Sequence, residues 1–375
     1  MSDTTGNQQP AEPVTDNAPK PRFYIPSLDG MRAVAIAIVF LSHAGYTFIP
    51  GGFGVTVFFF LSGYLITTLL VREFDTNGTI NLPNFYWRRV WRIFPPMYAA
   101  LAFAVIVALL GLTESMPTVP SVTAQALHLS NYANLTDLKP GMPWGSRVFW
   151  SLAVEEHFYL VFPFVALFLL RRYTPRTQAI ALLLICGLVL VWRLVLEGIF
   201  NVAHDLDYRY ERIFYATDTR IDAILFGCVM GVYLNPMNSE SPQWSARKAI
   251  LWSGVAGIFL VGTVLIRNEF YRNTFRYSLQ SLALFPIFYA AIQQPNLGPF
   301  RVLNFSWVRF IGVLSYSLYL VHQVFVKALR FNYPEISTPM VIVIAGALSF
   351  GLAYLFHVSL ERPAARMRKR YSSIR

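Results

Sequence analysis

The apolar residues of this chain fall into long continuous runs separated by short polar stretches. They do not alternate as the residues of a half-buried strand would. A membrane-spanning helix needs about 20 mostly apolar residues. Ten runs approach that length: 31–49, 52–71, 94–112, 150–170, 178–196, 221–235, 249–266, 278–293, 310–328 and 338–358. The sixth and eighth are short for a bilayer and are expected to be tilted or broken. The stretch 121–135 is too polar to span and reads as a re-entrant or interfacial helix. The pattern predicts an all-α, polytopic transmembrane helix bundle of about ten spans. No repeat of 20–50 residues and no inverted symmetry is visible, and either would have favoured a transporter.

The polar stretches set the expected topology. Residues 1–22 hold Pro, Thr, Gln and Asn without an apolar core, so they read as a disordered cytoplasmic tail and not as a signal peptide. With the N-terminus inside, the inward segments hold roughly twice as many Lys and Arg as the outward ones. Both termini are then expected in the cytoplasm. The basic run 366–375 forms a second cytoplasmic tail, anchored at the lipid headgroups. Residues 23–365 form one transmembrane domain, and no second soluble domain is expected.

Composition agrees. Hydrophobic residues make up 55% of the 375 positions and charged residues only 14%, against about 25% charged in a soluble domain. The net charge of +11 would suggest nucleic acid in a soluble protein. Here the inward bias of Lys and Arg explains it, so no nucleic-acid partner is expected. Cys186 and Cys228 both lie in apolar runs and read as small core residues; no metal is expected.

Ionisable groups are costly inside a bilayer, so each one within a span is a candidate for function. Arg193 reads as a packing partner for a polar group and His357 as interfacial. Arg32 and His43 are different. They lie eleven residues apart on one predicted helix, roughly 16 Å along its axis and on nearly the same face. Arg32 could hold an anion at the cytoplasmic surface while His43 works deep in the membrane. Histidine suits a general base because its pKa lies near neutrality. A core histidine bonded to a backbone carbonyl is the plainer alternative.

Four further constellations stand out. Arg88, Arg89 and Arg92 sit among Trp87, Trp91 and Tyr86 before the third span; guanidinium groups hold phosphate by paired hydrogen bonds, though such a cluster also serves as an ordinary headgroup anchor. Ser151, Glu155 and Glu156 open the fourth span, at about the depth of His43. A helix N-terminus favours negative charge, which accounts for one Glu better than two. Arg220 and Asp222 begin the sixth span, and Tyr316 and His322 lie in the ninth. Each of these alone could be a cap or a packing residue.

Taken together, the motifs resemble the acyltransferase-3 family. The resemblance rests on Ser27–Ala33, His43, Gly52–Tyr64, Arg88–Pro95, Trp150–Tyr159 and Ser315–His322, in that order, and covers roughly residues 23–365. The family's members are bacterial integral-membrane enzymes that O-acylate glycans. The resemblance implies a multi-pass protein of the bacterial cytoplasmic (inner) membrane, with acyl-CoA, most often acetyl-CoA, as donor. It implies that the 23–365 unit is the acyltransferase domain, that Arg32, Arg89 and Arg92 hold the donor phosphates, and that His43 deprotonates an acceptor hydroxyl. It further implies a carbohydrate or glycan acceptor. Some members carry a fused extracytoplasmic esterase-like domain. That domain is expected to be absent here, leaving either the membrane domain alone or a separate extracytoplasmic partner to finish the transfer. His157 replaces a polar residue such as Gln in the family pattern.

The resulting expectation is a membrane O-acyltransferase. His43, Glu155 and Glu156 are the catalytic candidates. Arg32, Arg88, Arg89 and Arg92 face the donor, and Ser151, Tyr316, His322, Arg220 and Asp222 face the acceptor. The competing expectation is a transporter or flippase that moves an acyl carrier or glycan without chemistry; its flux would survive loss of His43.

Overall fold

The structure is a computed structural model that describes residues 24–202 and 206–371. The expected 1–22 tail lies outside the described residues. Every regular element among the described residues is helical. In chain order the helices are α1 (Pro26–Ala44), α2 (Gly51–Asn77), α3 (Leu82–Leu109), α4 (Val119–Ala126), α5 (Ser130–Ala133), α6 (Trp150–Arg172), α7 (Pro175–Val202) and α8 (Leu206–Tyr215). They continue as α9 (Thr217–Arg220), α10 (Asp222–Val232), α11 (Ala246–Leu265), α12 (Glu269–Asn273), α13 (Phe275–Gln293), α14 (Gly298–Leu303), α15 (Ser306–Asn332), α16 (Thr338–Phe356) and α17 (Arg362–Lys369). A single π turn, His357–Glu361, joins the last two.

Local sequence explains where these helices begin and end. Proline occupies the first turn of α1, α3 and α16, where its missing N–H costs nothing. Asn81 caps α3 by accepting from the Asn84 N–H at 3.0 Å. Gly78 ends α2 in the left-handed conformation, φ +68°, with its N–H on the Phe74 carbonyl.

Among the described residues, eight helices are long and apolar enough to cross a membrane. They match eight of the ten expected runs. The other two runs are also helical but fall short. α10 has 11 residues, about 16 Å of helix, against the roughly 30 Å of a hydrocarbon core. α13 is polar in its first two turns, with Arg276, Ser278, Gln280 and Ser281. The 121–135 stretch becomes the short pair α4 and α5.

α10 is buried from Asp222 to Gly231, and two glycines explain how it reaches the centre. A Cβ on Gly63 of α2 would lie 1.9 Å from the Ile224 carbonyl oxygen; one on Gly227 of α10 would lie 2.0 Å from that of Phe60. Only glycine permits this backbone approach, the device of close-packed membrane helices. Gly312 brings α15 onto α1 in the same way, with the Asp29 carbonyl oxygen 1.8 Å from where its Cβ would be.

A buried ion pair ties α7, α10 and α13 together. Arg193 and Asp222 are both fully buried, with Nη2 2.7 Å from Oδ2; Ser278 donates to the same carboxylate at 2.6 Å. Arg193 is therefore a packing partner, as expected. Beyond the π turn, α17 docks on α3. Arg88 donates to the Tyr371 carbonyl at 2.8 Å, and the Trp87 and Tyr371 rings stack at 5.9 Å. Residues 366–371 of the expected tail thus lie in and just beyond a docked helix, and 372–375 are outside the described residues.

Candidate active site

A part-open cleft of about 810 Å³, counting the space at its mouth, lies between α1, α2, α3, α6 and α15. One end is cationic: Arg32, Arg89 and Arg92 all line it. Arg32 is steadied by Asp29 one turn earlier, Nη1 to Oδ1 at 2.7 Å. Arg89 lies over the Tyr159 ring, 4.6 Å from its centroid. Arg92 is exposed at the rim. Arg88, the fourth expected donor ligand, points elsewhere. It pairs with the nearly buried Glu73 at 2.8 Å and helps hold Tyr371.

The wall carries a polar cluster. Glu155 Oε2 accepts from Ser62 Oγ at 2.9 Å and from Tyr159 Oη at 2.7 Å. The Ser62 and Tyr159 hydroxyls also touch each other. Glu156, next in sequence, is off the lining, and its Oε1 is buried with no hydrogen-bond partner among the described residues. The adjacent carboxylates therefore separate: one faces the cleft and one does not. Tyr316 also lines the cleft and donates to the Ile93 carbonyl at 2.9 Å. That carbonyl lies beside those of Trp91 and Arg92, which Pro95 and Pro96 deprive of helical donors.

Away from the arginines the lining stops at Ser151 and Tyr319. Ser151 is eight residues from Tyr159 on α6, about 12 Å along the helix. Tyr319 Oη donates to the Val148 carbonyl at 2.9 Å, and its oxygen lies 2.7 Å from Ser151 Oγ. Ser151 Oγ lies 3.4 Å from the same carbonyl, so the two hydroxyls share it as acceptor and either one can donate to the other.

One turn further along α15 is a histidine pair. His43 Nδ1 lies 2.8 Å from His322 Nε2, and the ring planes are within 8° of parallel. His322 is 1% exposed; His43 is half-buried. Neither reaches the cleft. Tyr319 forms the shared wall, its ring 5.8 Å from that of His322.

Other expected site residues lie outside the cleft. Asp222 is held by Arg193 and Ser278. Arg220 is fully buried, its guanidinium 3.8 Å from the Tyr277 ring centroid and within 6 Å of Phe59, Trp150 and Phe214. His157 bonds Thr217 Oγ1 at 2.7 Å and stacks on Tyr132. Among the described residues, no group of three or more His, Cys, Asp or Glu side chains is disposed to hold a metal.

Sequence reasoning missed Ser62, Tyr159 and Tyr319 as site residues. Ser62 offered a signal, a lone hydroxyl following Phe58-Phe59-Phe60-Leu61. The two tyrosines offered none beyond their motifs, because what matters is which helix they meet.

Comparison with known proteins identifies the family. The family model described as an acyltransferase domain, acyltransferase 3, matches residues 25–358. The peptidoglycan O-acetyltransferase OatA of Listeria monocytogenes is 30% identical over 359 residues, covering 91% of this chain and 56% of that protein. The O-acetyltransferase OatA of Staphylococcus aureus is 29% identical over 358 residues, covering 89% and 56%. The chain thus spans a little over half the length of these relatives. No solved structure matches. The cleft, its arginine end and its histidine pair therefore belong to a member of the acyltransferase-3 family.

Proposed function

We propose that this protein transfers an acetyl group from acetyl-CoA to a hydroxyl of a glycan acceptor, peptidoglycan being the first candidate because one relative carries that name. The supporting observation is the order of groups along the cleft: three arginines at one end, the Ser151–Tyr319 hydroxyl pair at the other, and His43 immediately behind it. The arginine end suits the phosphates of CoA and is taken as cytoplasmic. The pantetheine arm would run along the wall past Glu155, leaving the thioester near Ser151.

His43 Nε2 takes the proton of the acceptor hydroxyl, and the oxygen attacks the thioester carbonyl. The C–S bond then breaks. The thiolate leaves with the proton that His43 returns, so ester and free CoA thiol form with all atoms accounted for. Ser151 lies where its hydroxyl can turn from Tyr319 to the developing oxyanion. Arg193 and Asp222 act as a structural clamp, and Arg88 as a support for α17. On this reading the protein works in the bacterial cytoplasmic membrane.

The test is transfer of labelled acetyl from acetyl-CoA to an added glycan by purified protein in lipid vesicles. Labelled ester on the glycan supports the reading. Uptake of label or glycan into the vesicles without ester formation would replace it with transport.

A further inference from the structure

Two neutral imidazoles facing each other nitrogen to nitrogen share one hydrogen: one ring donates and the other accepts. Their other bonds decide which. His322 Nδ1 lies 2.8 Å from the Tyr319 carbonyl oxygen and 3.2 Å from that of Leu318. Carbonyl oxygens only accept, so the hydrogen of His322 is on Nδ1. Its Nε2 then has a lone pair, and the 2.8 Å contact to His43 Nδ1 is a bond donated by His43. It follows that His43 Nε2 carries no hydrogen. That nitrogen has no hydrogen bond among the described residues and belongs to a half-buried ring.

We infer that His322 is a positioning residue that fixes His43 in the tautomer with Nδ1–H, so that Nε2 is the base. The inference rests on the proposed reading of His43. The α15 backbone orients His322, His322 orients His43, and only His43 meets the substrate. A carboxylate plays this part in serine hydrolases; here a neutral ring takes it. In an apolar interior the neutral partner avoids a resting charge, yet its lone pair still accepts from the imidazolium once Nε2 is protonated. Acceptor binding is not the role the geometry gives His322, since it is 1% exposed and spends both ring nitrogens on the protein.

The experiment measures kcat and donor KM for His43→Ala, His322→Leu and His322→Gln in the vesicle assay. Gln can place its carbonyl oxygen near the former Nε2 and keep an acceptor for His43; Leu cannot. The loss in His322→Leu is expected in kcat, up to about ten-thousand-fold, the cost of a wrong tautomer in a serine protease, with donor KM unchanged. His322→Gln is expected to recover most of that loss. If His322→Leu keeps its kcat, or Gln is no better than Leu at equal donor KM, the inference falls while the reading of His43 stands. If His43→Ala itself transfers acetyl normally, that reading falls and takes this inference with it.

Discussion

The hydroxyls of Ser151 and Tyr319 meet 2.7 Å apart where the cleft ends, and the next turn of α15 carries His322. The Tyr319 ring stands between this end of the cleft and His322. The two helices involved, α6 and α15, are far apart in sequence, so the junction forms only when the bundle does. Ser151→Ala removes the donor that can turn toward the thioester oxygen. Its kcat is expected to fall about a hundred-fold, as for other oxyanion donors, with donor KM unchanged. A raised KM at normal kcat would place Ser151 in binding instead.

Arg92 and Arg88 lie one helical turn apart, yet only Arg92 lines the cleft. Arg92→Ala is expected to raise the KM for acetyl-CoA at least tenfold, the effect of losing about 1.4 kcal/mol or more of charge-assisted binding. Arg88→Ala leaves the 3%-exposed Glu73 side chain without that partner. It should lower thermal stability in detergent while donor KM stays near wild type. Titrating the donor against both variants separates the two outcomes.

The Arg193–Asp222 pair is fully buried. Asp222→Ala strands a buried guanidinium and is expected to cost about 3–5 kcal/mol. Replacing both residues with Leu should recover much of that loss, because the uncompensated charge is then gone. Thermal unfolding of the two variants side by side checks this. A double variant as weak as Asp222→Ala would mean that the pair itself is strongly net stabilising.

Gly63 and Gly257 contrast clearly. A Cβ on Gly63 would press to 1.9 Å from a backbone oxygen of α10, while one on Gly257 meets nothing within 4 Å. Gly63→Ala should sharply reduce the yield of folded protein. Gly257→Ala should be neutral or slightly stabilising, since alanine favours helix. Size-exclusion profiles of the two variants measure the difference.

Helical architecture was legible because a bilayer demands long apolar runs, and all ten expected runs are helices. The run 221–235, already short for a bilayer, counts among the ten because apolarity alone does not distinguish a bilayer segment from a helix wrapped by protein. Its true character depends on the glycines that let α2 close on it. The Arg32–His43 relationship was only partly legible. Both are on α1, but Tyr319 intervenes, so Arg32 lines the cleft and His43 does not. Arg88, Arg220 and Asp222 looked available in the sequence. Partners from distant segments engage them: Glu73 and Tyr371, Tyr277, and Arg193. The same long-range pairing hid Ser62, Tyr159 and Tyr319 and split the roles of Glu155 and Glu156.

The most direct test of the account compares wild-type protein with His43→Ala, at matched levels in vesicles supplied with labelled acetyl-CoA and a glycan acceptor. The account predicts labelled ester with wild type, and loss of transfer in the variant while donor binding is retained. Equal labelling by both would contradict it and remove His43 from the chemistry.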